Sequence, residues 1–208
     1  MKKYFVLIML LALTASCNKW LDIKPLSEVS EDDLFTTEDG FKDAVNGLYS
    51  RCTQEDLYGS VLLGGLPDVL AQNYTLPVLD QVGYREASLF NYKHETVIEK
   101  KDLVWKGLYE VIANSNIILS QVDKKKNILS PVNYGLIKGE SLAMRAYCHF
   151  DALRLFAPSF ATGAASKAIP YVTAFSKQTS ALLTVTATLD SIIKDLTEAK
   201  DLLKRSEE

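Results

Sequence analysis

Few residues in this chain have the types and spacing that catalysis requires. The 208 residues include only 2 His and 3 Cys. His149 directly follows Cys148, and because adjacent helical positions point about 100° apart, the two side chains make a poor nucleophile–base pair. A pair of carboxylates could hydrolyse a glycoside. With 26 acidic residues, however, some carboxylates lie near each other in any fold, so the sequence does not single out a catalytic pair. No Gly-x-Ser-x-Gly elbow or phosphate-binding loop occurs, and we predict a protein that is not an enzyme and has no catalytic residues.

The composition also argues against metal, cofactor and nucleic-acid binding. A zinc site built from Cys and His would use nearly all of these residues, and they do not cluster along the chain. Lys plus Arg is 23 and Asp plus Glu is 26, a formal net charge of −3, whereas proteins that bind nucleic acid present a basic face. We expect no metal, no cofactor and no nucleic-acid partner.

The N-terminus has the pattern of a bacterial lipoprotein signal. A basic start, Met1-Lys2-Lys3, precedes an apolar run over 4–13 that is too short to span a bilayer. Small residues lead to Cys17, an arrangement that resembles a lipobox. We predict a signal peptide over 1–16 and acylation of Cys17 by palmitate-like chains, whose buried CH₂ groups contribute about 0.8 kcal/mol each to the anchor. The alternative is an ordinary signal peptide with a chance Cys at the junction.

Apolar residues recur at helical spacing through much of the remaining chain. Residues 17–36 have no sustained period and are predicted to be a lipid-anchored tether, followed by a helical domain over 37–208. The spacing predicts four helices, which start at Thr36, Thr96, Pro131 and Val185 and end near Cys52, Val122, Pro158 and Leu203. Long loops are expected between the first two helices and between the last two, and no alternation is strong enough to predict a sheet.

The two central helices are joined by a short polar turn, which predicts antiparallel packing. Gly139, Ala143 and Ala146 are small and would allow close approach at this pair. Ala146, Phe150 and Pro158 also follow a tetratricopeptide-like spacing. The predicted fold class is therefore all-α, with tetratricopeptide-like antiparallel helix pairs and long irregular loops.

Several polar and aromatic residues within these helices are interpreted as structural. Asn114 and Asn116 lie mid-helix, where Asn is a poor helix former, and a buried hydrogen bond to a neighbouring loop would explain this position. Trp105 and Tyr109 are expected to pack between helices.

Cys52 and Cys148 fall on the apolar faces of predicted helices. In that setting a cysteine usually behaves as a small hydrophobic residue. Whether the two form a disulfide in an exported protein stays open at this point.

Ordered sequence blocks along the mature chain resemble one family. After Cys17 they are the residues 20–25 (WLDIKP), 35–37 (FTT), 43–49 (DAVNGLY), 105–117 with Trp105, Tyr109, Asn114, Asn116 and Ile117, 139–150 (GESLAMRAYCHF), 155–156 (LF), 169–170 (IP) and 192–196 (IIKDL). The chain resembles the SusD/RagB family of outer-membrane nutrient-binding lipoproteins through these blocks.

The resemblance implies a tetratricopeptide-like fold and a lipoprotein on the cell outer membrane. It also implies a partner, a SusC-like TonB-dependent transporter over which the protein forms a lid, and capture of oligosaccharides or other nutrients without chemistry. Family members are much longer, so the chain resembles their N-terminal, repeat-bearing part and is expected to be incomplete. It also has Ala157 where the family usually has Gly, and it lacks the Arg that normally precedes the last helix.

The loop over 53–95 carries the candidate ligand-binding residues. Neutral sugars are held by aromatic faces flanked by hydrogen-bonding groups, and loops of this region often line the ligand surface in the family. The candidates are Asp68, Asn73, Tyr74, Tyr84 and Tyr92. The alternative is that these tyrosines pack the loop against the helices with their hydroxyls in water.

Two functions from different classes remain open. The first is nutrient capture beside a transporter, which requires a glycan or other nutrient ligand. The second is a lipid-anchored helical-repeat adaptor that binds only proteins, or a degenerate fragment without ligand binding. A transporter in complex with the protein would favour the first function.

Overall fold

The computed structural model describes residues 31–75, 83–176 and 178–206. The chain divides into two units, 1–33 and 34–208, and the packing described below belongs to the second. The predicted signal peptide over 1–16, Cys17 and most of the predicted tether lie outside the described residues. A short helix, α1 (Glu31–Leu34), precedes Phe35, whose buried ring lies 4.8 Å from that of Phe41 and belongs to the core.

The second helix, α2 (Glu38–Cys52), begins two residues after its predicted start at Thr36. Its N-cap is Thr37, whose hydroxyl oxygen accepts the backbone N–H of Gly40 at 3.1 Å. Because apolar residues recur every three or four positions, one face of the helix enters the core. That face carries Phe41, Val45, Leu48 and Cys52.

Two short helices, α3 (Leu66–Leu70) and α4 (Arg85–Ser88), lie in the segment predicted to be a loop. The long helix α5 (Glu95–Val122) follows. The predicted capping box at Thr96–Glu99 is wrong, because the helix already begins at Glu95 with His94 as its N-cap. Nδ1 of His94 accepts the backbone N–H of Thr96 at 3.4 Å, so an imidazole nitrogen replaces the expected hydroxyl.

Helix α6 (Pro131–Phe156) starts as its sequence predicts, after a 3₁₀ turn at Lys126–Ile128. Ser130 is the N-cap, and its hydroxyl oxygen accepts the backbone N–H of Asn133 at 3.2 Å. Gly139 permits a close approach, as predicted. The helix that packs against it, however, is not the predicted partner α5 but the final helix described below, which contains Leu203. A Cβ built on Gly139 would lie 2.9 Å from Cγ of Leu203.

A two-stranded antiparallel hairpin interrupts the predicted loop over 159–184. It follows α7 (Phe160–Gly163) and pairs β1 (Lys167–Pro170) with β2 (Leu182–Thr184). Strands of three and four residues are too short to show a clear alternation, so their sequence pattern does not predict them. Ile169 of β1 is fully buried, which ties the hairpin to the core.

The final helix, α8 (Val185–Ser206), packs along α6 and buries Val185, Ile192 and Ala199. This buried part of its apolar face is therefore partnered by α6, whereas Ile193 and Leu196 are exposed. The mostly helical architecture confirms the predicted all-α class. No helix among the described residues combines the length and the apolar character needed to cross a membrane.

Candidate functional site

The segment that carries the candidate ligand residues is anchored at its base to α5 and α6. Arg51 makes a two-point ion pair with Asp56, with N–O distances of 2.9 and 2.7 Å, and its Nε donates to Glu110 of α5 at 2.8 Å. At the sixth residue of the segment, the hydroxyl of Tyr58 donates to Oδ2 of Asp151 on α6 at 2.6 Å. The segment therefore leaves α2 on a fixed path.

A glycine turn at Gly64 and Gly65 precedes α3. Gly64 has a φ of +77°, in the left-handed region that glycine adopts without steric cost. Its backbone N–H donates to Oδ2 of Asp68 at 3.1 Å, and Oδ1 of Asp68 accepts from Nδ2 of Asn73 at 3.0 Å. Each carboxylate oxygen can accept a second hydrogen bond, so Asp68 keeps acceptor capacity toward solvent.

The hydroxyl groups of Tyr74 and Tyr84 lie beside the same glycine turn. A Cβ built on Gly64 would lie 3.6 Å from the Tyr74 oxygen, and one on Gly65 would lie 2.7 Å from the Tyr84 oxygen. The structure thus gathers Asp68, Asn73, Tyr74 and Tyr84 around Gly64 and Gly65, and we call this arrangement the glycine-turn cluster.

The two tyrosines of the glycine-turn cluster differ in exposure. Tyr74 is 48% exposed and offers part of its ring to solvent. Tyr84 is half-buried, and Nζ of Lys100 lies 4.5 Å from the centre of its ring, a distance typical of a cation–π contact. Tyr84 is therefore the more buried of the two tyrosines, and Tyr74 is the more exposed.

Tyr92 lies elsewhere. Its ring centre is 6.4 Å from that of Phe90, and both side chains are about half exposed. It borders a small cavity of about 80 Å³ that is otherwise lined by Leu66, Leu70, Val97, Lys101, Leu155 and Phe156. Tyr92 and Phe90 form a second exposed aromatic surface, which we call the Phe90–Tyr92 pair.

Two backbone features of this region were not predicted. Phe90 and Gln72 have φ values of +57° and +60°, a conformation that costs a non-glycine residue roughly 1–2 kcal/mol. Nε2 of Gln72 donates to the carbonyl oxygens of Val69 at 3.2 Å and Ser88 at 3.0 Å, which links α3 to α4. No sequence pattern reveals these two positions, because neither residue type is typical of the left-handed region.

The residues considered first for catalysis have structural roles. His149 is fully buried, and Nε2 accepts the backbone N–H of Val172 at 3.0 Å while Nδ1 lies 2.8 Å from the carbonyl oxygen of Arg145. Burial lowers the pKa of His149 to about 4, so the ring is neutral at pH 7. Across the described ranges 31–75, 83–176 and 178–206, no group of three or more His, Cys, Asp or Glu side chains could hold a metal ion.

The structural interpretation is confirmed for Asn116, Trp105 and Tyr109, but Asn114 is exposed, so the buried hydrogen bond expected for it is wrong. Nδ2 of Asn116 donates to the carbonyl oxygen of Val172 at 2.9 Å, which is the expected bond to a neighbouring loop. Trp105 packs against Tyr109 at 4.6 Å between ring centres and against Phe156 at 5.0 Å.

These features can be compared with known proteins. A family profile described as "Starch-binding associating with outer membrane" matches residues 19–208. The chain belongs to this SusD-like family. The SusD-like protein P25 of Formosa agariphila is 27% identical over 157 residues, which are 73% of this SusD-like chain and 29% of that protein.

Solved structures support the same assignment. A putative sugar binding protein from Bacteroides vulgatus is 25% identical with a TM-score of 0.63, over 80% of this chain and 37% of the other. A SusD superfamily protein from Bacteroides thetaiotaomicron is 21% identical with a TM-score of 0.65, again over 80% and 37%. The SusD-like chain thus spans less than two-fifths of these relatives and shares their tetratricopeptide-like helical fold.

Proposed function

We propose that this SusD-like chain is a lipid-anchored, surface-exposed lipoprotein of the outer membrane that captures oligosaccharides for a SusC-like TonB-dependent transporter. Three features support the proposal. The family description names starch binding and outer-membrane association, the N-terminus carries the predicted lipobox at Cys17, and the glycine-turn cluster offers chemistry suited to neutral sugars.

The glycine-turn cluster is the observation that carries the ligand proposal. The exposed ring of Tyr74 can stack on the apolar face of a pyranose. Asp68 retains acceptor capacity for sugar hydroxyls, and Asn73 adds an exposed amide beside it. A short, charge-assisted hydrogen bond from a sugar hydroxyl to a carboxylate is stronger than a neutral one, so Asp68 would orient the ring that Tyr74 holds.

The Phe90–Tyr92 pair gives the proposed surface a second aromatic contact. Both rings are about half exposed and tilted by 52° to each other. An oligosaccharide long enough to reach both surfaces would bury more ring area than a single sugar could. We therefore expect affinity to rise with chain length.

Titration calorimetry with maltoheptaose, a linear fragment of starch, tests the ligand proposal on the full-length chain. Removing the ring in Tyr74→Ala should weaken binding about tenfold, equivalent to about 1.4 kcal/mol, and Asp68→Ala should weaken it similarly. Tyr49→Ala is the matched control, because Tyr49 is 46% exposed but belongs to α2. Equal affinities for all variants, or no binding of maltoheptaose and of other neutral oligosaccharides by the wild type, would reject the cluster as a sugar site.

The transporter partnership has its own test. The full-length protein would be affinity-purified from outer membranes, and co-purifying proteins identified by mass spectrometry. A TonB-dependent barrel in stoichiometric amount would support the proposal. Its absence from a folded, membrane-bound bait would favour the second candidate.

That second candidate is an adaptor that binds only envelope proteins. A groove of about 310 Å³ favours it, because the lining is mostly apolar and includes the exposed rings of Phe150 and Phe160. It runs between the end of α6 and the start of α8. An adaptor would retain its protein partners while showing no affinity for any oligosaccharide.

A further inference from the structure

Two buried cysteine thiols meet where α2 ends against α6. Cys52 is the last residue of α2 and Cys148 lies in the second half of α6. The two thiols are free and are hydrogen-bond partners. The remaining sulfur nearby belongs to Met144, whose Sδ lies 3.6 Å from Sγ of Cys52. Because Met144 and Cys148 lie one helical turn apart on α6, the thiol of Cys52 lies against the part of α6 that carries Cys148.

The two thiols are chemically unequal. Their mutual hydrogen bond, together with the charge of Arg51, lowers the pKa of Cys52, whereas that hydrogen bond and burial raise the pKa of Cys148. Cys52 also keeps 8% of its surface exposed while Cys148 has none. Since the thiolate is the reactive form, we assign the first attack to Cys52, at a stage of folding when α2 and α6 have come together but their contact has not fully closed.

We propose that Cys52 and Cys148 become joined by a disulfide bond once the protein leaves the cytoplasm. The oxidant is an envelope dithiol–disulfide oxidoreductase in its disulfide form. The Cys52 thiolate attacks one sulfur of that disulfide and forms a mixed disulfide. The Cys148 thiolate then attacks Sγ of Cys52 and displaces the enzyme, which leaves as a dithiol. The chain thus loses two electrons and two protons, and the oxidoreductase gains them.

The disulfide bond would join α2 to α6 at the base of the segment that carries the glycine-turn cluster. Cys52 immediately precedes that segment, and the Tyr58–Asp151 hydrogen bond of 2.6 Å fastens the same stretch to α6. Because Cys148 has no exposed surface, exchange takes place while the chain is still folding. The inference rests on the export that the proposed function includes, and it is independent of sugar binding.

Peptide mapping of the full-length chain tests the proposal. Cells expressing the protein are fractionated in the presence of an alkylating agent that blocks free thiols, and the protein is digested with trypsin without reduction. Cys52 lies in the peptide 52–85 and Cys148 in the peptide 146–154. We expect one linked species of these two peptides from the envelope fraction, and its replacement by two separately alkylated peptides when reductant precedes the alkylating agent.

Each outcome of the mapping has one meaning. Two separately alkylated peptides from envelope protein, without added reductant, would overturn the disulfide and leave the proposed function untouched. Protein found only in the cytoplasmic fraction with both thiols alkylated would overturn export and the disulfide together.

Thermal unfolding gives a second readout. Closing a loop of about 100 residues should raise the melting temperature, so reductant should lower it by on the order of 10 °C in the wild type. Cys52→Ala and Cys148→Ala remove the bond separately, and neither should respond to reductant. A wild-type melting temperature that is insensitive to reductant would contradict the proposal.

Discussion

Arg145 and Asp195 form a two-point ion pair that joins α6 to α8, with Nε–Oδ2 and Nη2–Oδ1 distances of 2.7 and 2.8 Å. Their side chains are only 9% and 8% exposed. Oδ1 of Asn116 accepts from Nη1 of Arg145 at 2.9 Å, and the hydroxyl of Tyr171 donates to Oδ2 of Asp195. One buried polar network therefore connects α5, α6, α8 and the stretch after β1, and both charges in it have partners.

Removing one charge of this pair should strongly destabilise the fold. Asp195→Ala leaves the guanidinium of Arg145 buried without its counter-ion, which costs about 3–5 kcal/mol. We expect a loss of that size in the free energy of unfolding measured in urea. Lys106→Ala is the control, since its pair with Glu110 is exposed and 3.7 Å long and should contribute less than about 1 kcal/mol. Similar losses in the two variants would contradict the structural role of the network.

His149 should make stability depend on pH below neutrality. Its pKa is lowered from 6.5 to about 4 when the chain is folded, because burial disfavours the charged ring and Nε2 must remain unprotonated to accept from Val172. Between these two values the unfolded chain binds the extra proton. The stability that depends on a neutral His149 is therefore fully present above about pH 6.5 and is lost as the pH falls toward 4. Across this window the free energy of unfolding should fall by on the order of 3 kcal/mol.

The matching measurement compares urea unfolding of the wild type and His149→Gln from pH 7 to pH 4. The carboxylates titrate in both proteins, so the difference between the two profiles isolates the histidine. We expect the wild type to lose more stability across this window than the variant. Parallel profiles would mean that the ring at position 149 can accept a proton without disturbing the fold.

Local signals explain which parts of the fold the sequence predicts well. Ser130 followed by Pro131 marks a helix start through two neighbouring residues, and the structure confirms it. Asn116 stands out because Asn is unfavourable mid-helix, and its bond to Val172 confirms the inference. The predicted start of α5 at Thr96 is one residue too late, because the N-cap is a histidine and not one of the usual capping residue types.

Long-range contacts explain what the sequence could not predict. Arg145 and Asp195 are separated by 50 residues, and nothing in their local patterns announces a pairing. Asp68, Asn73, Tyr74 and Tyr84 meet at the left-handed turn of Gly64 and at Gly65 from positions 4 to 20 residues farther along the chain. Their residue types were predicted from sugar chemistry, but their grouping, and the separate place of Tyr92, come from the three-dimensional fold.

Gly139 and Gly47 are expected to respond in opposite directions to larger side chains. A Cβ on Gly139 would already lie 2.9 Å from Leu203 and 3.3 Å from the carbonyl oxygen of Ala199, whereas one on Gly47 would meet nothing within 4 Å. Gly139→Leu should therefore overpack the α6–α8 contact and cost about 1–3 kcal/mol. Gly47→Ala should stabilise α2 by up to about 1 kcal/mol through helix propensity. Thermal unfolding measures both, and an unchanged melting temperature for Gly139→Leu would mean that α6 and α8 do not pack closely at this point.

Cys17 should determine whether the protein stays with the membrane. The predicted acyl chains would attach the protein to the membrane, because several chains give stable anchoring where one gives only reversible binding. Cys17→Ala should move the protein from the membrane pellet to the soluble fraction and remove the acyl mass from its N-terminal peptide. Cys52→Ala is the matched control, since it changes a buried cysteine of the helical domain and should leave the protein in the pellet. Membrane retention of Cys17→Ala, together with a wild-type N-terminus that carries no acyl mass, would reject the lipoprotein assignment and favour an ordinary signal peptide.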